Sequence, residues 1–398
     1  MDDKRRFEDL SPEEQAETLK AYEELTNNKT ALEDLVADID ARRQGYGEVW
    51  ATGFSYLDKK LDGGFMGEQL IFLGAISSLG KTSYALQIAT QIAEQGKDVL
   101  IFSLEMSKNE LNAKTISRYT YKLTEKDDHT KKYRLTTRDI LSGKIGSIVF
   151  GEPQDEQGKI YAAALDATKK IAGNTRIYIG ENDVTVDMVR EIVDIHIRAT
   201  NKRPFVVLDY LQILQPSEDA KTADKRLLTD YDVTRLKVLS RDFHIPVLVI
   251  SAFNRTNYLE PVSMSSFRES SGIEYSSDIL LAMQYHGMDY QKHWFTTQTG
   301  KKKKVFESVQ DHNTRVRELL LKMDEDGANG LALPIEIKIL KNRNGSKGSL
   351  YYDFLPAYNH YAEGTTKAYV LPAEWEQADE YDINNLTLPE SKPSLGKV

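Results

Sequence analysis

At 398 residues the chain can bury one large core or two to three small ones, and its 40% apolar and 28% charged content fits a globular protein. The absence of cysteine excludes disulfides and thiolate metal sites, and none of the seven histidines falls into a paired ligand spacing. No secretory leader or membrane-length apolar run is visible, which points to the cytoplasm. The net charge of −9 counts only weakly against a polyanion partner, because a basic channel can sit inside an acidic shell.

The chain opens on Ser11-Pro12-Glu13-Glu14, a capping serine with proline in the first turn and glutamate three residues on. This predicts a polar helix to about Leu25, broken by Asn27-Asn28. Thr30 and Glu33 form a second capping pair, and Leu32, Leu35, Val36 and Ile39 share one face of the helix that follows. That face needs cover, either from the chain's own main body or from a neighbouring subunit. Residues 1–45 read as this helical segment, 46–361 as one α/β domain and 362–398 as a loose acidic tail.

After a glycine-rich lead from Thr52 to Gly67, the apolar run Leu70 to Leu73 reads as a buried strand. Gly74-Ala75-Ile76-Ser77-Ser78-Leu79-Gly80-Lys81-Thr82 follows. Next comes a helix, Ser83 to Gln95, with Leu86, Ile88, Ala89, Ile92 and Ala93 at helical spacing until Gly96. Strand, small-residue turn, Gly-Lys-Thr and helix make a phosphate-binding loop, although alanine stands at the first position where glycine is usual. Backbone N–H groups close around phosphates at the positive end of the helix; Lys81 can reach the β- and γ-phosphates and Thr82 can offer its hydroxyl to Mg²⁺.

A second strand, Asp98 to Ser103, leads to Glu105, placed just past a strand's carboxyl end, where open α/β sheets bind ligands. Such an acid can be a solvated helix-start residue or the base that orients a water. A helix follows from about Ser107. Residues 120–158 read as polar and irregular. Helices over about Ile160–Ile171 and Val186–Ala199 flank a strand at Arg176–Ile179. Phe205-Val206-Val207-Leu208-Asp209 then suits a central strand whose tip carboxylate holds Mg²⁺, continuing through Tyr210 to Leu214.

A long helix to Phe243, a strand from Pro246 to Ser251, a polar loop over Ser265–Tyr275 and a strand from Asp278 to Met283 complete the alternation. The pattern predicts a mostly parallel sheet covered on both faces. Residues 284–334 break the rhythm as an insertion, with Lys301-Lys302-Lys303-Lys304 as a loop, a helix from Val305 to Lys322 and the acidic Asp324–Gly330. The lysine run reads either as solvated surface or as a contact to a phosphate backbone. Ile335–Leu340 and Ser349–Phe354 form a hairpin around Asn344-Gly345, with Lys341 and Arg343 at its tip.

Together these pieces resemble the RecA-like ATPase domain of the DnaB-type replicative DNA helicases, over roughly residues 30–361. The resemblance rests on ordered signatures: Thr52-Gly53-Phe54 with Gly63-Gly64; the loop Gly74–Thr82; Phe102-Ser103-Leu104-Glu105-Met106-Ser107; Asp209-Tyr210-Leu211-Gln212; Arg268-Glu269-Ser270; and Lys341-Asn342-Arg343-Asn344-Gly345. It implies ATP and Mg²⁺ as cofactors, with Lys81 and Thr82 holding triphosphate and metal, Asp209 completing the metal site and Glu105 activating water. Lys341 and Arg343 would reach into a neighbour's site. Arg268, Glu269 and Ser271 would contact single-stranded DNA inside a hexameric ring, and the helix from Thr30 to Arg43 would pack on an adjacent subunit. A helicase loader or primase is a further implied partner.

The chain departs from the family's pattern at Ala252, where glutamine is usual, and at Ser271, where glycine is usual. About 45 residues precede the ATPase domain, too few for the family's N-terminal collar, which suggests a compact motor of a phage, plasmid or mobile element. The leading expectation is an ATP-driven ring helicase. A helicase-derived protein that binds ATP and assembles without translocating is the alternative, favoured by Ala252 and opposed by Lys81, Glu105, Asp209, Lys341 and Arg343. A recombinase-type filament on the same fold fits Asp209-Tyr210-Leu211-Gln212 less well.

Overall fold

The structure is a computed structural model that describes residues 7, 10–26, 32–33, 35–37, 39–40, 49–76, 78–143, 155–180, 184–215, 225–254, 258–267, 270–296 and 302–364. The chain divides into two compact units, Met1–Val49 and Trp50–Val398. In the first, α1 (Pro12–Thr26) starts with a reciprocal cap: the Glu14 N–H donates to Ser11 Oγ at 3.2 Å and the Ser11 N–H to Glu14 Oε2 at 2.8 Å. The described residues between 32 and 40 are helical, and Leu32, Leu35, Val36 and Ile39 are all exposed. Thr30, the expected cap, lies outside the described residues; of the tail expected over 362–398, residues 362 and 363 belong instead to the strand His360–Glu363, which pairs with Gly348–Leu355, and the part after 364 lies outside the described residues.

The remaining elements run in chain order: β1 (Val49–Trp50), α2 (Ser55–Lys60), β2 (Phe65–Met66), β3 (Leu70–Ala75), α3 (Lys81–Glu94), β4 (Val99–Ser103), α4 (Lys108–Thr124), α5 (Thr137–Leu141), α6 (Glu156–Ala172), β5 (Thr175–Ile179), α7 (Val186–Thr200), β6 (Phe205–Asp209), α8 (Lys225–Asp242), β7 (Val247–Ala252), α9 (Ser270–Ser276), β8 (Ile279–Tyr285), β9 (Lys292–Thr296), β10 (Lys302–Phe306), α10 (Val309–Ala328), β11 (Leu333–Asn342), β12 (Gly348–Leu355) and β13 (His360–Glu363). Nine strands form one sheet in the order β13-β12-β11-β8-β3-β7-β6-β4-β5. Pairs from β8 through β5 are parallel, and β11, β12 and β13 add antiparallel strands at one edge.

The period-2 alternation of strand side chains explains why these strands read as unbroken apolar runs. Ile71 and Leu73 of β3 enter one core with Ile88 of α3 and Ile116 of α4; Leu70 and Phe72 enter the other with Val189 of α7 and Leu236 of α8. Both faces are therefore buried, and the sheet's carboxyl edge is left as the place where loops meet.

Several expectations change. Residues 120–158 are not irregular throughout: α4 runs to Thr124, a 3₁₀ turn covers Lys131–Tyr133, and Thr136 and Asp139 cap α5 reciprocally. Hydroxyls of Ser117 and Thr120 donate to the Leu135 carbonyl and help bury Leu135. Residues 144–154 lie outside the described residues. The stretch after Asp209 turns at once into a 3₁₀ turn, Leu211–Ile213, instead of extending the strand. The expected polar loop over Ser265–Tyr275 includes α9, because Ile273 packs fully buried in the second core.

In the insertion, Lys302–Lys304 belong to a strand rather than a loop, and the helix starts at Val309 rather than Val305. Ser308 sets that start by accepting the Asp311 N–H at 3.1 Å, and α10 continues through the acidic stretch to Ala328. No helix among the described residues is long and apolar enough to cross a membrane.

Candidate nucleotide-binding site

The loop after β3 is shaped by close packing. Gly80 sits at the N-cap of α3 with φ of 75°, and a Cβ there would come within 2.5 Å of Phe354 and 2.7 Å of Tyr361. The Tyr361 hydroxyl donates to the Leu79 carbonyl, so β13 holds the loop from behind. A Cβ on Gly74 would strike the Phe253 and Phe267 rings, which accounts for glycine one position earlier than usual. Ala75, at the usual glycine position, is simply the last paired residue of β3, in register with Ala252. Ser77 lies outside the described residues, whereas Ile76 and Leu79 border the loop and Ser78 takes a left-handed φ of 69°.

The loop, Lys81, Thr82, Glu105 and Asp209 come together at the carboxyl edge. Thr82 Oγ1 donates to Asp209 Oδ2 at 2.7 Å, and Lys81 Nζ donates to the carbonyls of Ala75 and Ile76, both at 3.1 Å. Ser103 pairs with Asp209 across β4 and β6, and the Leu104 N–H bonds the Asp209 carbonyl at 2.8 Å, which sets Glu105 next to the tip of β6. Glu105 itself is exposed.

Burial pushes the Asp209 carboxyl up to about 6; the Thr82 hydroxyl opposes this and the Glu105 charge adds to it. Burial likewise lowers Lys81, with Asp209 and Glu105 pulling it back up. A buried carboxylate beside a hydroxyl, raised by desolvation, is a place where a divalent cation would relieve an unfavourable charge. Among the described residues no cluster of three or more His, Asp or Glu could hold a metal alone. The donor set therefore fits Mg²⁺ arriving with phosphate oxygens, since that ion commonly takes one or two protein ligands plus substrate phosphate.

Lys341 and Arg343 are elsewhere. Lys341 is still inside β11, after a bulge past Ile339, in register with Leu280, which itself pairs with Phe72. It therefore precedes the hairpin tip instead of forming it, and its Nζ donates to the carbonyls of Glu274 at 2.6 Å and Tyr275 at 3.3 Å. The Arg343 N–H bonds the Asp278 carbonyl, and its Nη1 meets Asp278 Oδ1 at 3.3 Å, while Asp278 pairs through its backbone N–H with Leu70. Both cations thus sit at the amino edge of the sheet. The phosphate loop begins at the other end of β3, along the strand about 10 Å from the level of Lys341 and about 16 Å from that of Asp278, at the usual rise per residue. Arg268 and Glu269 lie outside the described residues, and Ser271 falls in α9.

The sequence missed two supports. Gln212 donates to Ser251 Oγ at 2.9 Å and accepts the Ala252 N–H at 3.2 Å, which ties the segment after Asp209 to the end of β7. Lys114 of α4 donates to Asn359 Oδ1 at 2.6 Å, and Asn359 also accepts from Ser83 Oγ at 3.1 Å. Burial lowers Lys114, while Glu110 and Asp209 raise it. Gln212 was visible only as part of a motif, and nothing local marks Lys114.

Fold and site together define a P-loop ATPase of the RecA-like class. The family model "DnaB-like helicase C terminal domain" matches residues 50–363, and the chain belongs to that family. It is 27% identical over 379 residues to the replicative DNA helicase DnaB of Helicobacter pylori, covering 92% of this chain and 70% of that protein. It is 26% identical over 342 residues to the DnaB of Geobacillus stearothermophilus, covering 84% and 61%. A solved ATPase domain superposes with a TM-score of 0.61 at 19% identity, covering 83% of this chain and 97% of its own. A DnaB-like replicative helicase, described with its interactions with primase, gives 0.58 at 20%, covering 83% and 65%.

Proposed function

We propose that the chain is an ATP-driven DNA helicase motor that assembles into a ring, a hexamer by family likeness, and moves along single-stranded DNA in the cytoplasm. The carrying observation is the division of cations. One end of the sheet has a phosphate loop with Lys81, Thr82, Asp209 and Glu105, and the other end presents Lys341 and Arg343, which cannot reach their own chain's loop. A neighbouring copy facing that loop would complete the site.

In this reading the loop N–H groups and Lys81 bind the β- and γ-phosphates, and Thr82 with Asp209 would hold the metal. Bound Mg²⁺ would neutralise charge on the phosphate oxygens. Glu105 accepts a proton from the water that attacks the γ-phosphorus; the bond to the β–γ bridging oxygen breaks, leaving ADP and phosphate. Lys341 and Arg343 of a neighbour offset charge on the phosphoryl oxygens. Arg268, Glu269 and Ser271 follow the DNA strand. A primase docks on the ring, in line with the DnaB-like helicase described with its interactions with primase; a helicase loader is a further partner by family likeness alone.

Ala252 favours a second reading, an assembling ATP-binding protein that does not translocate. The test is steady-state ATP hydrolysis with and without single-stranded DNA. Marked stimulation supports the motor, and a low rate indifferent to DNA supports the second reading.

A further inference from the structure

The β9–β10 ribbon stands apart from the nine-stranded sheet as a two-stranded sheet of its own. A lone hairpin of this kind is marginal in water and needs an anchor. The anchor lies at its base, where the Glu307 N–H donates to the Gln291 carbonyl and the Gln291 N–H to Glu307 Oε1, both at 2.9 Å. Buried Arg315 clasps Glu307 with two bonds, at 3.0 and 2.6 Å, and also holds the carbonyls of Gly287 and Asp289. His312 bonds Glu307 at 3.0 Å on one side and the Leu259 carbonyl at 2.9 Å on the other, and Tyr290 stacks on its ring. The ribbon therefore leaves the body from a rigid, buried ionic base.

What the ribbon carries is unlike the rest of the chain. In a protein of net charge −9, residues 291–306 contain five lysines and no acid, with Trp294, Phe295 and Phe306 among them. The register pairs Lys292 with Phe306, Trp294 with Lys304 and Thr296 with Lys302, so these six positions share one face. Single lysines often guard a free strand edge against pairing. Successive lysines in register with aromatics, on both strands, exceed that need. They match the combination that binds single strands without sequence preference: cations for phosphates and flat rings for bases.

We infer that the β9–β10 ribbon is a second contact for single-stranded nucleic acid, outside the Arg268 loop. This rests on the reading that the chain works on single-stranded DNA. The experiment measures binding of an oligo-dT strand to the full chain across a salt series, without nucleotide. Substituting Lys302, Lys303 and Lys304 together with Gln should weaken binding and flatten the slope of log K against log salt by about two, at about 0.7 for each phosphate no longer neutralised. Replacing all three with Arg should keep both.

Trp294→Ala should cost about tenfold, whereas Trp294→Phe retains most of the affinity. DNA-independent ATP turnover should be unchanged in every variant, which also reports a preserved fold. If the Gln variant binds with unaltered affinity and slope, the ribbon inference falls alone. If the unmodified chain does not bind the strand at all, the DNA-motor reading falls with it. Loss of assembly in the Gln variant would overturn the inference too, placing the ribbon between copies.

Discussion

Lys81 and Lys341 both direct their ammonium groups to main-chain carbonyl oxygens, but at opposite edges of one sheet. Around Lys81 the backbone curls through Gly80, and the carboxylates of Asp209 and Glu105 stand close by. Near Lys341 the acids are Asp278, already shared with Lys237 at 2.7 Å and with Arg343, and Glu274. The Arg343 side chain remains 67% exposed. The first edge gathers the groups that a triphosphate would need, whereas the second holds Lys341 on its own carbonyls and presents an exposed guanidinium. The proposed ring assembly rests on this division.

The sharpest way to break that comparison is Arg343→Ala. If Arg343 serves a neighbour, turnover should fall by about a thousandfold, in the range of an arginine finger. Wild-type subunits mixed with the variant should then lose activity more than in proportion, and a strictly linear loss would mean each chain's site is self-contained. Next in size, Glu105→Gln should reduce hydrolysis by about a hundredfold or more while nucleotide binding persists. Retained turnover would remove Glu105 from the acid–base role.

Asp209 sharpens the comparison through pH. Its folded-state value, about 6, lies above the ordinary carboxyl value of 3.8, so the protonated form is the one the fold prefers. That preference is fully present below about pH 4 and is lost as pH rises through about 6, a difference of about 2–3 kcal/mol. Asp209→Asn should therefore raise the melting temperature of the nucleotide-free protein at pH 8, and the gain should vanish by pH 4. A gain independent of pH would show that the buried charge is not the cause. The smallest effect is expected for Tyr361→Phe, which removes the bond to the Leu79 carbonyl. Stability should drop by about 1 kcal/mol and nucleotide affinity should weaken a few-fold, as read by chemical denaturation and nucleotide titration.

Much of the active edge was legible locally. The strand-turn-helix around Gly74–Thr82, the apolar run ending in Asp209 and the placement of Glu105 after a strand depend on short-range periodicity and turn chemistry, which a linear sequence displays. The insertion was not legible in the same way. Val305 and Phe306 follow a lysine run that resembles a loop, and only pairing with Lys292–Thr296 makes them a strand. Ser308, the cap that starts α10, competes locally with Val305 as a helix start and prevails because Glu307 is held by Gln291 and Arg315.

The sequence by itself determined which residues read as a phosphate loop, where strands and helices alternate and which side chains carry the candidate chemistry, because residue type, spacing and alternation act over a few positions. Tertiary structure alone decided where those residues stand. Strand order places Asp209 beside Glu105 and Thr82, and the register of β11 on β8 carries Lys341 and Arg343 to the far edge. The contact of Tyr361 with the loop, and that of Lys114 with Asn359, likewise joins segments that no local pattern connects. Pairing between distant strands and packing of buried faces are cooperative over the whole chain, so their outcome appears only when the fold is complete.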